Sequence, residues 1–180
     1  MTRSDDPASS RSLESVRCNL CGVDDYAVLY DAPFETDDAQ LVADYVATTN
    51  RYGRYGRVVR CLRCGLVYTN PRPSPDTLMR GYSATVDSDY AEEDASRSIN
   101  AHIALRTIRK CVRSGRLLDV GSATGFFLNA ARLDFEVDGI DPSRWAVEYA
   151  RRRLKLEVRL GSLDTAAFEA SRFDVVTMND

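Results

Sequence analysis

The chain has 180 residues, 44% hydrophobic and 28% charged, the composition of a soluble globular protein with room for one ordinary domain and a small second one. No apolar run approaches the roughly 20 residues of a membrane span, and the polar opening MTRSDDPASSRSLES lacks the apolar stretch of a signal peptide, so a cytoplasmic protein with no membrane partner is expected. A net charge of −3 argues against a broad nucleic-acid surface, because phosphate binding is largely electrostatic.

Residues 1–14 read as a disordered tail. Residues 15–70 hold two C-x-x-C-G units, Cys18-Asn19-Leu20-Cys21-Gly22 and Cys61-Leu62-Arg63-Cys64-Gly65. Two residues between thiolates let each unit clasp one side of a tetrahedral Zn2+, and four sulfurs close the site without leaving a place for water. The glycine after each second cysteine suits a positive-φ turn. Disulfides fit poorly with a chain lacking an export signal, and nothing resembles a thioredoxin-like redox unit. The reading is therefore a zinc ribbon with structural metal ligands Cys18, Cys21, Cys61 and Cys64. Its strands are expected at Tyr26–Tyr30, Arg57–Arg60 and Leu66–Tyr68. The 39 residues between the units exceed the gap of a compact finger, so an insertion with a short helix is expected within Glu35–Val46. Basic residues cluster in Arg51–Arg63, where phosphate or sugar-nucleotide contact stays open.

Residues 71–113 read as a helical connector. Ser74 followed by Pro75 is an N-cap with proline at the first helical position, starting a helix through Leu78, Met79 and Tyr82. A longer helix is expected over Ala91–Val112, stopping at Ser114-Gly115. On its apolar pattern of Ile99, Ile103, Ile108 and Val112, Cys111 reads as core. His102, the sole histidine, reads as a surface residue and not a general base.

Residues 114–180 carry the richest pattern. Leu117–Val120 is a short apolar strand of the buried parallel kind. Gly121 and Gly125 bracket a turn where absent side chains let a ligand approach the backbone. A helix follows, with Phe127, Leu128, Ala131 and Leu133 available to face the sheet. Strand Glu136–Ile140 then ends at Asp141, at the offset of about 20 residues where an acidic group accepts ribose hydroxyls in doubly wound folds. A dinucleotide fingerprint would place glycine at 123 and 126; Ala123 and Phe126 stand there, so a pyrophosphate ligand does not fit.

The run D-x-G-x-x-x-G from Asp119 to Gly125 resembles the first motif of the class I S-adenosylmethionine-dependent methyltransferases. GIDPS (139–143) resembles their second motif, LGSLD (160–164) their adenine-contacting loop, and FDVVTMND (173–180) their fourth strand. Ala123 replaces a glycine many members carry, and Ser162 stands where an acidic residue often meets adenine. The resemblance implies an α/β, Rossmann-like doubly wound sheet, here incomplete with the first four of seven strands, preceded by a zinc-ribbon β domain. An early end of the chain before the substrate half is expected on that count.

The resemblance also implies S-adenosyl-L-methionine as methyl donor and a cofactor role for particular residues. Gly121, Gly125 and Ser122 admit the methionine portion; Asp119 orders the glycine loop and meets the amino group. Asp141 holds the ribose, Ser162 and Leu163 address adenine, and Asn179 lies near the reacting centre. Tyr90, with Tyr82 nearby, falls where relatives carry tyrosines that cover the donor. A ribbon ahead of such a domain is similar to sugar C-methyltransferases, which implies a small-molecule or sugar-nucleotide substrate. It also occurs in ribosomal-RNA methyltransferases, where it grips RNA. A non-catalytic zinc and cofactor-binding fragment is the remaining alternative. No residue stands out as the catalytic base.

Overall fold

The computed structural model describes residues 12–33, 55–84, 86–88 and 94–179. The helix expected in the insertion and Tyr90 lie outside the described residues. Two compact units divide the chain after Gly81. The connector expected over 71–113 is thereby split, its first part belonging with the ribbon and the rest with the C-terminal unit.

In the first unit, β1 (Leu13–Glu14) pairs with β5 (Arg72–Pro73), while β2 (Tyr26–Tyr30), β3 (Val58–Cys61) and β4 (Val67–Thr69) form an antiparallel sheet in that order. The three sheet strands fall within one residue of the expected positions. Its fully buried apolar side chains among the described residues are Val59 with Cys18 and Cys61, a thin core for an independent unit. Helix α1 (Pro75–Ala84) starts as the Ser74-Pro75 pattern predicts: the Thr77 N–H donates to Ser74 Oγ at 3.3 Å. Met79 and Tyr82, however, are exposed, and the buried positions are Thr77 and Gly81.

The second unit opens with α2 (Asp94–Ile108). Strand β6 (Gly115–Val120), helix α3 (Phe126–Ala131) and strand β7 (Phe135–Asp141) follow. Helix α4 (Arg144–Tyr149) runs into a π turn (Ala150–Leu154), then come β8 (Val158–Leu160), α5 (Leu163–Ala166) and β9 (Val175–Thr177). The four strands are parallel, in the order β8-β7-β6-β9. Leu117, Leu128, Ala131, Val147, Ala150, Leu156 and Val158 fill one core with Ala101 and Leu105 of α2.

That core corrects the expected face of α2. Ile99 and Ile103 are 62% and 57% exposed, and Cys111 is exposed as well. The buried stripe is instead Ala101, Leu105 and partly buried Ile108, the set whose small Ala101 permits close approach to α3. Leu133, expected to face the sheet, is 76% exposed because α3 ends at Ala131. His102 is exposed, with Nδ1 at 2.7 Å from the Ser98 carbonyl of its own helix, as a surface reading requires.

Candidate cofactor crevice and metal centre

The strand order reverses at β6: β7 and β8 extend to one side and β9 lies on the other. At such a switch point the loops leaving neighbouring strands diverge and open a crevice at their C-terminal ends. The glycine turn sits at that end of β6. Gly121 and Gly125 take φ of 74° and 84°, and Ala123 between them takes 46°. The N–H groups of Gly121 and Ser122 both donate to the Ile140 carbonyl, at 2.9 and 3.1 Å. A Cβ on Gly125 would lie 2.8 Å from Leu156 Cδ1 and 3.2 Å from Ala150 Cβ, so this glycine lets the turn close onto the α4 side of the core.

The loop is ordered by Asp141, not by Asp119 as expected. Asp141 Oδ2 accepts from the Ala123 N–H and Oδ1 from the Ser143 N–H, each at 2.8 Å. Burial raises its carboxyl above the ordinary value, against the pull of these two backbone donors. Each oxygen keeps further lone-pair capacity for a ligand hydroxyl. The loop falls to Asp141 because it folds back over β7, whose end is Asp141, whereas Asp119 is bonded to Thr177 of β9.

Asp119 is 3% exposed. Its Oδ1 accepts from Thr177 Oγ1 at 2.7 Å and from Asn179 Nδ2 at 3.3 Å. Burial pushes its pKa up to about 6, opposed by those two donors and reinforced by the Asp141 charge. Beside it lies a cavity of about 270 Å³ whose lining brings together Asp119, Gly121, Ser122 and Asn179 with Arg97 and Asn100 of α2. The Ser122 hydroxyl is buried and has no protein partner.

Of the remaining expected residues, Gly125 supports the loop from behind, and Asp141 secures it from β7. Ser162 and Leu163 follow β8 on the same sheet edge, where the Gly161 N–H donates to the Asp141 carbonyl at 3.0 Å; they do not line the cavity. No motif marks Thr177, Arg97 or Asn100. Strand alternation points to Thr177, since it shares a face with Asn179. Nothing local points to Arg97, because the isoleucines of α2 suggest a different buried face.

In the first unit the Sγ atoms of Cys18, Cys21, Cys61 and Cys64 all lie within 4.8 Å of one another. The Cys18–Cys64 and Cys21–Cys61 sulfurs approach to 3.5 Å. A tetrahedron with Zn–S bonds of about 2.3 Å has sulfur–sulfur edges near 3.8 Å, so the cluster fits such an ion. Both knuckles repeat one geometry: Gly22 donates to the Cys18 carbonyl and Gly65 to the Cys61 carbonyl, with φ of 74° and 79°. Backbone N–H groups of Cys64 and Arg63 hold the Cys61 thiol down at about 6 against burial. Although the Leu66 N–H pulls the other way, burial and the three neighbouring sulfurs push Cys64 up to about 12. Four thiolates this close need a cation to be ionised together.

With this geometry in hand, comparison with known proteins places the second unit. Residues 117–180 match a family described as a methyltransferase domain. The match makes this segment similar to methyltransferase domains. Its parallel sheet and glycine turn have a Rossmann-like form. Solved structures similar to the chain include a candidate S-adenosyl-L-methionine-dependent methyltransferase from Methanococcus maripaludis (16% identity, TM-score 0.45, covering 51% of this chain and 48% of that one). Another is an amino pentose methyltransferase of calicheamicin biosynthesis from Micromonospora echinaspora (29%, 0.44, 52% and 40%). A third is the protein DesVI of Streptomyces venezuelae (23%, 0.44, 53% and 44%). The chain thus spans half the length or less of each of these structures. No curated protein matches it. No helix among the described residues is long and apolar enough to cross a membrane.

Proposed function

We propose that the protein transfers a methyl group from S-adenosyl-L-methionine to a small-molecule or sugar acceptor, with a structural zinc ribbon preceding the methyltransferase domain. The observation that carries this reading is the cavity at the β6–β9 switch point, where the glycine turn meets the buried Asp119 carboxylate. A carboxylate there repels a pyrophosphate and attracts an ammonium group.

When bound, S-adenosyl-L-methionine supplies a sulfonium methyl group that an acceptor nucleophile takes in line, with neutral S-adenosylhomocysteine leaving. The chain's own part is binding, alignment and exclusion of water. Gly121 and Gly125 shape a turn that the methionine portion can approach, with the Ser122 hydroxyl beside it. Asp119 takes the ammonium group on the oxygen turned from Thr177. Asp141 offers its remaining lone pairs to the ribose hydroxyls, Ser162 and Leu163 meet adenine, and Asn179 borders the reacting centre. Cys18, Cys21, Cys61 and Cys64 hold Zn2+ in a reducing, cytoplasmic setting, and the metal does no chemistry on the substrate.

Calorimetric titration of the chain with S-adenosyl-L-methionine tests the reading. Saturable binding at one site is expected, weakened about tenfold or more in Asp141→Ala, since a charge-assisted hydrogen bond is worth about 1.5–3 kcal/mol. No binding at millimolar donor would overturn it. The acidic balance favours a small acceptor over RNA. Acceptor affinity that falls steeply with added salt would reverse that choice.

A further inference from the structure

Two sulfur pairs of the first unit approach to 3.5 Å, Cys18 with Cys64 and Cys21 with Cys61. Each pair joins one C-x-x-C unit to the other, across 46 and 40 residues of chain. The backbone beneath them is held in place. The Cys18 N–H donates to the Val23 carbonyl at 2.9 Å, and the Cys61 N–H to the Leu66 carbonyl at 2.9 Å. The Leu62 N–H donates to the Asp25 carbonyl at 3.0 Å, tying the second knuckle to the residues that follow the first. A disulfide holds its sulfurs near 2.05 Å, so each pair stands about 1.5 Å from bonding distance. The four thiols differ in access: Cys64 is exposed, Cys21 is half-buried, and Cys18 and Cys61 are buried.

We propose that the four-cysteine centre is a peroxide-responsive switch, in which Cys64 is oxidised first, Cys18 resolves it, and the metal is released. The inference rests on the zinc reading above and adds a regulation to that site. With the metal bound all four sulfurs are thiolates, the nucleophilic form. An exposed thiolate beside a second one is the arrangement that turns oxidation into a reversible bridge. The Cys64 thiolate attacks one oxygen of hydrogen peroxide. An S–O bond forms, the O–O bond breaks, and hydroxide leaves as water after taking a proton. The Cys18 thiolate then attacks the sulfenic sulfur of Cys64. An S–S bond forms, the S–O bond breaks, and a second water departs. The two sulfurs lose two electrons in all, and one peroxide becomes two waters. A second peroxide bridges Cys21 and Cys61 in the same way. The oxidation state of Zn2+ does not change; it leaves because bridged sulfurs no longer offer thiolate ligands. In a reducing setting such bridges are transient, as a switch requires.

The test uses the zinc-loaded full chain carrying Cys111→Ser, which removes the exposed thiol outside the cluster. Hydrogen peroxide is added in steps while a chromophoric chelator reads free zinc and mass spectrometry of unreduced digests maps the bridges. About two equivalents of peroxide should release the bound zinc. The Cys18–Cys64 bridge should appear first and the Cys21–Cys61 bridge second. A sulfenate-trapping dione should label Cys64 ahead of the other three. Dithiothreitol with added zinc should restore the loaded form. Zinc retained with unmodified thiols, or sulfonic acids formed without bridges, overturns the switch and leaves the zinc reading intact. Bridges within Cys18–Cys21 or Cys61–Cys64, or first labelling at another cysteine, overturn the assigned order and partners. A chain that takes up no zinc before any oxidant is added overturns both readings.

Discussion

Thr177 donates a 2.7 Å hydrogen bond from Oγ1 to Oδ1 of Asp119, its register partner on the neighbouring parallel strand. In-register neighbours of a parallel sheet share a face, so the bond joins β6 to β9 across the point where the strand order reverses. Asn179 adds a second donor to the same oxygen. The carboxylate is therefore fixed in orientation before any ligand arrives, which removes an ordering cost from binding.

This arrangement predicts a pH dependence. With its pKa pushed up to about 6, Asp119 is largely protonated below that value and charged above it. Methyl-donor affinity should rise as pH increases through about 6. Stability runs the opposite way: the folded state keeps a proton that the unfolded state has lost, so Asp119's favourable contribution fades between about pH 4 and 6. Calorimetry from pH 5 to 8 reads the affinity. Thr177→Val removes a donor and should move the midpoint upward, with Thr177→Ser restoring it. Asp141 raises the value further and Arg97 lines the same cavity; both are untouched by these variants. An unmoved midpoint in Thr177→Val would refute the coupling.

Ala123 offers a gain in stability. Its φ of 46° is left-handed, where a Cβ costs about 1 kcal/mol or slightly more. Ala123→Gly should stabilise the domain by about 1 kcal/mol while leaving the N–H bond to Asp141 in place. Urea denaturation measures this, and a lowered midpoint would contradict the turn.

Gly125→Ala should do the reverse. The new methyl group would meet Leu156 Cδ1 at 2.8 Å on a backbone at φ 84°. Strain and overpacking together predict a loss of about 2 kcal/mol or more. A neutral result in the same denaturation experiment would show that the α4 side yields easily.

The metal makes a separate claim. Protein purified from zinc-containing medium should hold one zinc per chain by elemental analysis, and Cys61→Ser should hold far less. Cys111→Ser should keep the full amount, since Cys111 is exposed and outside the sulfur cluster. Chelation should melt the first unit, whose buried apolar set is small, because metal binding there is folding energy. Full metal content in Cys61→Ser would remove that residue from the ligand set.

Motifs with local geometry were legible in the chain. Two residues between cysteines, a glycine at the end of a strand, and serine before proline each constrain backbone within a few positions. The sulfur cluster, the positive-φ glycines and the start of α1 accordingly appear as read. The family resemblance supplied the strand sequence of the second unit in the same way, through ordered short motifs. Tertiary packing decided the rest. Isoleucines at 99 and 103 outweigh Ala101 on any hydrophobicity scale, yet the helix turns its smaller residue inward because α3 must come close. That rotation is what carries Arg97 to the cavity. Asp119 and Asp141 likewise look interchangeable as strand-end carboxylates. Their partners differ because one strand lies against β9, 58 residues away along the chain, and the other lies beneath the glycine loop.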